Sequence, residues 1–183
     1  MKIVTKEIEK EIIKFARIVL TCKIKECNPG ASIPLLKFES EDYIHSVFVT
    51  LKKDDKLRGC IGRLNFVGHF EIALEECIID ACNNDYRFKP VEPEEVDDIK
   101  IEISLLSKPE ILLDTYKFDL GKHGIIVEYE NKRGIYLPEV PIEQNWNIAE
   151  LCYNVSKKAE IIKLSEVHKS KYYKFETQKI IEG

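Results

Sequence analysis

The stretch DDKLRGCIGRL, residues 54 to 64, brings a guanidinium, a thiol and two glycines into five consecutive positions. Side chains on a strand alternate faces, so Arg58, Cys60 and Gly62 share one face and Leu57, Gly59 and Ile61 the other. A guanidinium about 6.6 Å along the same face favours the thiolate, the nucleophilic form of cysteine. The glycines remove bulk beside the thiol, as expected where a ligand or another backbone approaches closely. The competing reading is a buried free cysteine beside a bulge, with Arg58 paired to an acid.

Other residues have chemical potential. His123 sits in GKHG between Gly121 and Gly124. Read as a loop histidine with a pKa near neutrality, it is a candidate general base or ligand contact, or else the cap of a turn. DYRFKP places Asp85, Arg87 and Phe88 just after a helix. The acid and the arginine either bind a polar ligand or pair with each other and with helix-end carbonyls to fix the connector. Pro138, in YLPEV, ends a strand and presets a turn. The phosphate-loop, dinucleotide, zinc-protease and nucleophile-elbow motifs do not occur.

Metal and disulfide chemistry find little support. There is no C-x-x-C among the six cysteines. Cys22 and Cys27, like Cys77 and Cys82, are five apart, which on a helix rotates about 140° and separates their faces. The first twenty residues read as a mature amphipathic helix and not as a signal peptide, so the expected compartment is the cytoplasm, with free thiols. No cofactor and no membrane span are expected.

A net charge of −4 over 183 residues disfavours a general nucleic-acid binder. The local exception is residues 157 to 179, with seven lysines against three glutamates and Tyr172, Tyr173 and Phe175 among them. This segment reads as a lysine-guarded edge strand, or as a basic aromatic strand that meets RNA.

These groups need elements to hold them. Ile8, Ile12, Phe15 and Val19 recur at helical spacing, and a stop signal follows at Asn28, Pro29 and Gly30. YIHSVFVTL and LRGCIGRL form a hairpin around KKDDK. A second helix from about residue 68 to residue 83 has the stripe Phe70, Leu74, Cys77 and Ala81. IKIEISLLS alternates as a half-buried strand, with Ile99, Ile101, Ile103 and Leu105 inward. Residues 121 to 140 read as a hairpin with its turn at Asn131 to Gly134. Asn147 and Glu150 form a capping box for a helix striped by Ile148, Leu151, Cys152, Val155 and Ala159. KYYKFETQKI is the closing strand. Hairpins joined by helices, without regular βαβ alternation, predict an α+β fold with a mainly antiparallel sheet flanked by helices.

FVTLKKDDKLRGCIGRL, DYRFKPV, ISLLSKPE, GKHGI and YLPEV followed by NWN resemble, in order and spacing, the AMMECR domain family of archaea, bacteria and eukaryotes. LRGCIG is that family's hallmark. The resemblance implies one AMMECR-like domain over residues 1 to 183, with a larger subdomain from both chain ends, a smaller one from the middle, and a cleft between these unequal parts. It also implies that Leu57 to Gly62, Asp85, Arg87, Phe88, His123 and Pro138 line the site. Partners implied are Memo-like and radical SAM proteins, as in the AmmeMemoRadiSam system. Two departures stand out: Glu160 follows KKA where the family usually has Gly, and Arg63 follows the hexapeptide where Thr is common.

Two functional readings follow. One is an enzyme or enzyme component using Cys60 with Arg58 and His123. The other is a non-catalytic regulatory or binding module for a peptide, protein or nucleic acid.

Overall fold

A computed structural model describes residues 3–26, 36 and 44–183. The chain divides into two compact units, a larger one of residues 2–106 with 178–183 and a smaller one of 107–177.

In the larger unit, Thr5 caps helix α1 (Lys6–Ile24), whose Ile12, Phe15 and Val19 are buried, with Ile8 packed partly against the same core. The stop signal expected at Asn28 to Gly30, and Cys27, lie outside the described residues. Strands β1 (Ile44–Lys53) and β2 (Lys56–Leu64) form the expected antiparallel hairpin. Its turn residues Asp54 and Asp55 both adopt left-handed φ, 50° and 59°, the geometry of a tight hairpin turn with the twist the strands require. Helix α2 (Phe70–Asn83) packs Phe70, Leu74, Cys77 and Ala81 into the core. Pro93–Asp98 is a 3₁₀ helix leading into β3 (Ile99–Ser107), which lies beside β1. Ile99, Ile101, Ile103 and Leu105 are buried as their spacing requires, but Ser104 and Leu106 on the other face are buried too.

The C-terminal residues close this unit. The Gln178 side chain accepts from Val4 N at 2.9 Å and donates to Val4 O at 2.9 Å. Arg17 bonds Glu182 at 2.7 Å and the carbonyls of Val96 and Ile99.

In the smaller unit, β5 (His123–Tyr129) pairs with β6 (Lys132–Tyr136) and with β7 (Lys171–Ile181), and β4 (Glu110–Ile111) pairs with the other side of β7. Two corrections arise here. The closing strand is not a lysine-guarded edge, since β7 has neighbours on both sides. The β5–β6 turn is at Glu130 and Asn131, closed by the Tyr129–Lys132 pair, and not at Asn131 to Gly134. Gly134 instead lies within β6, where a Cβ would stand 2.5 Å from the Val155 carbonyl. That carbonyl belongs to helix α4 (Ile148–Lys158), whose start is the capping box of Asn147 and Glu150. Between β6 and α4 lies the short helix α3 (Glu139–Glu143), with buried Pro138 as its N-cap.

Helix α4 ends in a Schellman motif. Ile161 N donates to Ser156 O at 2.9 Å, and Glu160 takes φ 58°. A side chain in this left-handed position costs about 1–2 kcal/mol relative to glycine, partly offset by glycine's greater unfolded entropy. Glu160→Gly is therefore expected to stabilise the smaller unit by about 0.5–1 kcal/mol. A urea titration followed by Trp146 fluorescence checks this, and a lower midpoint would refute it.

Candidate functional site

The hallmark strand does not have simple alternation. Opposite partners run Leu51–Gly59 and then Lys52–Leu57, so a bulge leaves Arg58 without an opposite residue. A bulge re-aims a side chain. Arg58 turns to Glu95, with Nε donating at 3.1 Å and Nη2 at 2.7 Å, and also donates to the carbonyls of Lys89 and Pro90 at 2.9 and 3.1 Å. The expected role of Arg58 as the partner of the Cys60 thiol is thereby corrected. Its guanidinium is committed to Glu95, whose carboxyl it holds down at about 2.

A different pair meets Cys60. In an antiparallel ladder, every second residue of an edge strand turns its backbone groups away from its neighbour. Cys60, on the edge strand β2, does so, and side chains complete its bonding. Cys60 N donates to Asp85 Oδ2 at 2.8 Å, and Arg87 Nη2 donates to Cys60 O at 3.1 Å. Asp85 is buried and also accepts from Arg87 Nε at 2.9 Å and Nη2 at 2.7 Å. The Arg87 guanidinium holds the Asp85 carboxyl far below the usual carboxylate range. Of the two readings of DYRFKP, pairing within the connector is what the structure shows, with the strand edge in place of helix-end carbonyls. Phe88 lies 5.6 Å from the Arg87 guanidinium, and Tyr86 beside it is 95% exposed.

The thiol is half-buried, with Cys60 Sγ 3.3 Å from Thr50 Oγ1. Each glycine has a structural occupant. A Cβ at Gly59 would stand 2.2 Å from the Ala81 carbonyl of α2, and one at Gly62 would stand 2.2 Å from the Phe48 ring. The space beside Cys60 is used by the fold itself. Ile61 packs partly against the core and Leu57 is 43% exposed. Arg63, where the family commonly has Thr, is paired with Asp80 and Glu76 of α2.

Among the described cysteines, Cys22, Cys60, Cys77, Cys82 and Cys152, none is in a disulfide. Burial pushes the Cys77 and Cys82 thiols up to about 12, which leaves both inert as nucleophiles. A shallow depression of about 650 Å³ adjoins Arg58, Phe88 and Lys89. Its charges compensate internally, Lys53 bonding Glu95 at 3.2 Å.

His123 and Pro138 belong to the smaller unit. His123 is the first residue of β5 and not a loop residue, and it is buried. Its Nδ1 accepts from Asp119 N at 2.9 Å while its own N donates to Asp119 O at 3.0 Å. Burial, with Lys174 and Lys122 nearby, lowers its pKa, so the ring is neutral and serves as a turn cap.

Glu95 was missed in the sequence, although its signal was present. EPEE is a capping box with proline at the first helical position, and both of its reciprocal bonds form. A residue so fixed is a ready anchor for Arg58.

An antiparallel α+β protein whose edge strand has the LRGCIG motif, clamped by an Asp–Arg pair, defines the class. The chain belongs to the AMMECR1 family, which it matches over residues 13–180. Its relatives include a Methanococcus aeolicus protein, 35% identical over 92% of this chain and 88% of that one. A Methanothermobacter thermautotrophicus protein is 44% identical over 62% of each chain. The crystal structure of uncharacterized protein PH0010 from Pyrococcus horikoshii superposes with a TM-score of 0.77 at 26% identity, covering 97% of this chain and 93% of that one.

Proposed function

We propose that this protein is a non-catalytic binding module whose recognition surface is Tyr86, Arg87 and Phe88 set against the β2 edge. The observation that carries this reading is the internal commitment of the motif's charged groups: Arg58 to Glu95, and Asp85 with Arg87 to the Cys60 backbone. These bonds hold a Tyr-Arg-Phe triplet on a fixed connector; Tyr and Arg are enriched at the energetic centres of protein interfaces, and Phe in interfaces generally. The partner is a protein, and Memo-like and radical SAM proteins are the first to test. This surface lies within the larger unit and requires nothing of the smaller one.

A second reading, a thiol-dependent enzyme component, draws on the partial exposure of Cys60. The two separate experimentally. A photo-crosslinking residue at position 86 is mixed with a purified Memo-like protein, and Tyr116, 96% exposed in the smaller unit, serves as the control position. A discrete adduct from position 86 alone, undiminished by Cys60→Ser, is expected. Equal crosslinking from both positions, or none from 86, would overturn the proposal. Alkylation of Cys60 that outpaces Cys152 below about pH 8 would favour the enzyme instead.

A further inference from the structure

The smaller unit has a groove that plays no part in the surface just described. Its volume is about 360 Å³, and Cys152, Ile161, Val167 and Tyr172 are among its lining residues. Ser156 Oγ and Tyr172 OH are bonded to each other at 2.8 Å, so these two hydroxyls are already satisfied, and Cys152, Ile161, Ile162 and Val167 make the floor mainly apolar. The lining residues Tyr153 and Ile162 are largely exposed, and Leu164, two positions on in the chain, adds apolar surface outside the lining. Tyr153 is 67% exposed, Ile162 76% and Leu164 71%. A contiguous exposed apolar patch on a soluble domain marks an interaction site, and one that continues beyond a cavity suits a polypeptide better than a small molecule.

The charge around it is mainly positive, with Glu160 the exposed acid in the same stretch. Lys157 lines the groove, and Lys163 and Lys169 flank Ile162, Leu164 and Val167 in the chain. All three lysines are exposed and, among the described residues, form no ion pair within 4 Å, although Lys163 lies close enough to Glu166 to help hold its carboxyl low. The neighbouring acid Glu166 is neutralised by Lys132 at 3.2 Å. Lys158 is withdrawn from the rim, since it donates to Ile135 O and lies over the Tyr136 ring.

We infer that this groove docks an acidic, amphipathic segment of a partner protein, its aliphatic or aromatic side chains seated between α4 and the short helix α5 (Leu164–Val167) and its carboxylates on the lysine rim. The apolar floor supplies affinity, and the lysines, in excess over the acids beside them, select the sign of the partner and speed its encounter.

The test uses the full chain, isotopically labelled, and three synthetic amphipathic peptides of about fifteen residues, long enough to form a helix on binding. One carries Leu, Phe and Glu, one has Lys in place of Glu, and one is a scramble of the first. The Glu peptide alone is expected to shift the amides of Tyr153, Ile162 and Val167. Raising salt should weaken it, and Ile162→Asp or Lys157→Glu should each lower its affinity roughly tenfold. Both substitutions fall on exposed side chains, where the expected change in stability is small. Equal binding of the Lys peptide, shifts elsewhere on the chain, or no shifts would overturn the inference. So would binding of phosphatidylserine vesicles without the peptide, which would make this a membrane surface. A dimer abolished by Ile162→Asp would make it a contact between copies.

Discussion

Asp85→Ala is expected to lower the unfolding free energy by about 3–4 kcal/mol, from the loss of several hydrogen bonds to a charged acceptor. The carboxylate is 4% exposed and accepts from Cys60 N, from Arg87 N at 3.2 Å, and twice from the Arg87 guanidinium. Arg87 is half-exposed and rehydrates when the acid is gone. Much of the loss therefore comes from the Cys60 N–H, left unpaired at the strand edge. Because Asp85 has a folded pKa below its unfolded value of about 3.9, its contribution is complete above that value and is lost progressively as pH falls below it toward the depressed folded pKa. Asp85→Asn should therefore flatten the acid limb of the stability profile below about pH 4 while costing less at neutrality. Urea unfolding followed by circular dichroism, with hydrogen exchange at the β1 and β2 amides, reads both effects. Wild-type stability for Asp85→Ala would show that the clamp is ornamental and would reopen a ligand-binding role for this pair.

Gly59→Ala is the second large effect. The added methyl would enter the space held by the Ala81 carbonyl, and a helix backbone has little room to retreat. Overpacking of this kind costs about 3 kcal/mol or more. Gly62→Ala meets only the Phe48 ring, which can swing aside, and is expected to cost about 1 kcal/mol. Thermal melts of the two variants supply the comparison. Two near-neutral substitutions would mean that the glycines keep a path open for a ligand after all. A larger cost at Gly62 would contradict the packing account.

The helices and hairpins were legible because burial imposes a period on the sequence. The stripes of α1, α2 and α4 and the Asp54–Asp55 turn are local features, decided within a few residues. Leu57 to Gly62, Asp85, Arg87 and Phe88 stood out in the sequence as candidate site residues, and of these the larger unit brings Cys60, Asp85 and Arg87 together. How they are used was not legible. The bulge that sends Arg58 to Glu95 is a property of two strands and a distant connector, and alternation along one strand cannot show it. The lysines of β7 misled for a similar reason. A lysine at a sheet edge and one beside a paired strand look the same in one dimension, yet Lys174 reaches the Lys117 carbonyl from a strand with two neighbours. His123 reads as a base by residue type, but an acceptor bond from Asp119 N and burial make it a cap.

The bonds of Gln178 and Glu182 to the first helix region have a consequence for biosynthesis. They join residues 174 and 165 positions apart in the chain. A ribosome must therefore deliver the whole of residues 107–177 before the larger unit receives its last strand and its arginine partner. Until then, Arg17 can reach the Val96 and Ile99 carbonyls but lacks its carboxylate, and the Val4 backbone awaits a side chain that has not been made. Contacts of such separation form late and slowly. The smaller unit, contiguous in sequence, can complete itself first. A ribosome stalled soon after residue 177 emerges should thus display a folded insert within an unfinished host, the state most exposed to chaperones and proteases.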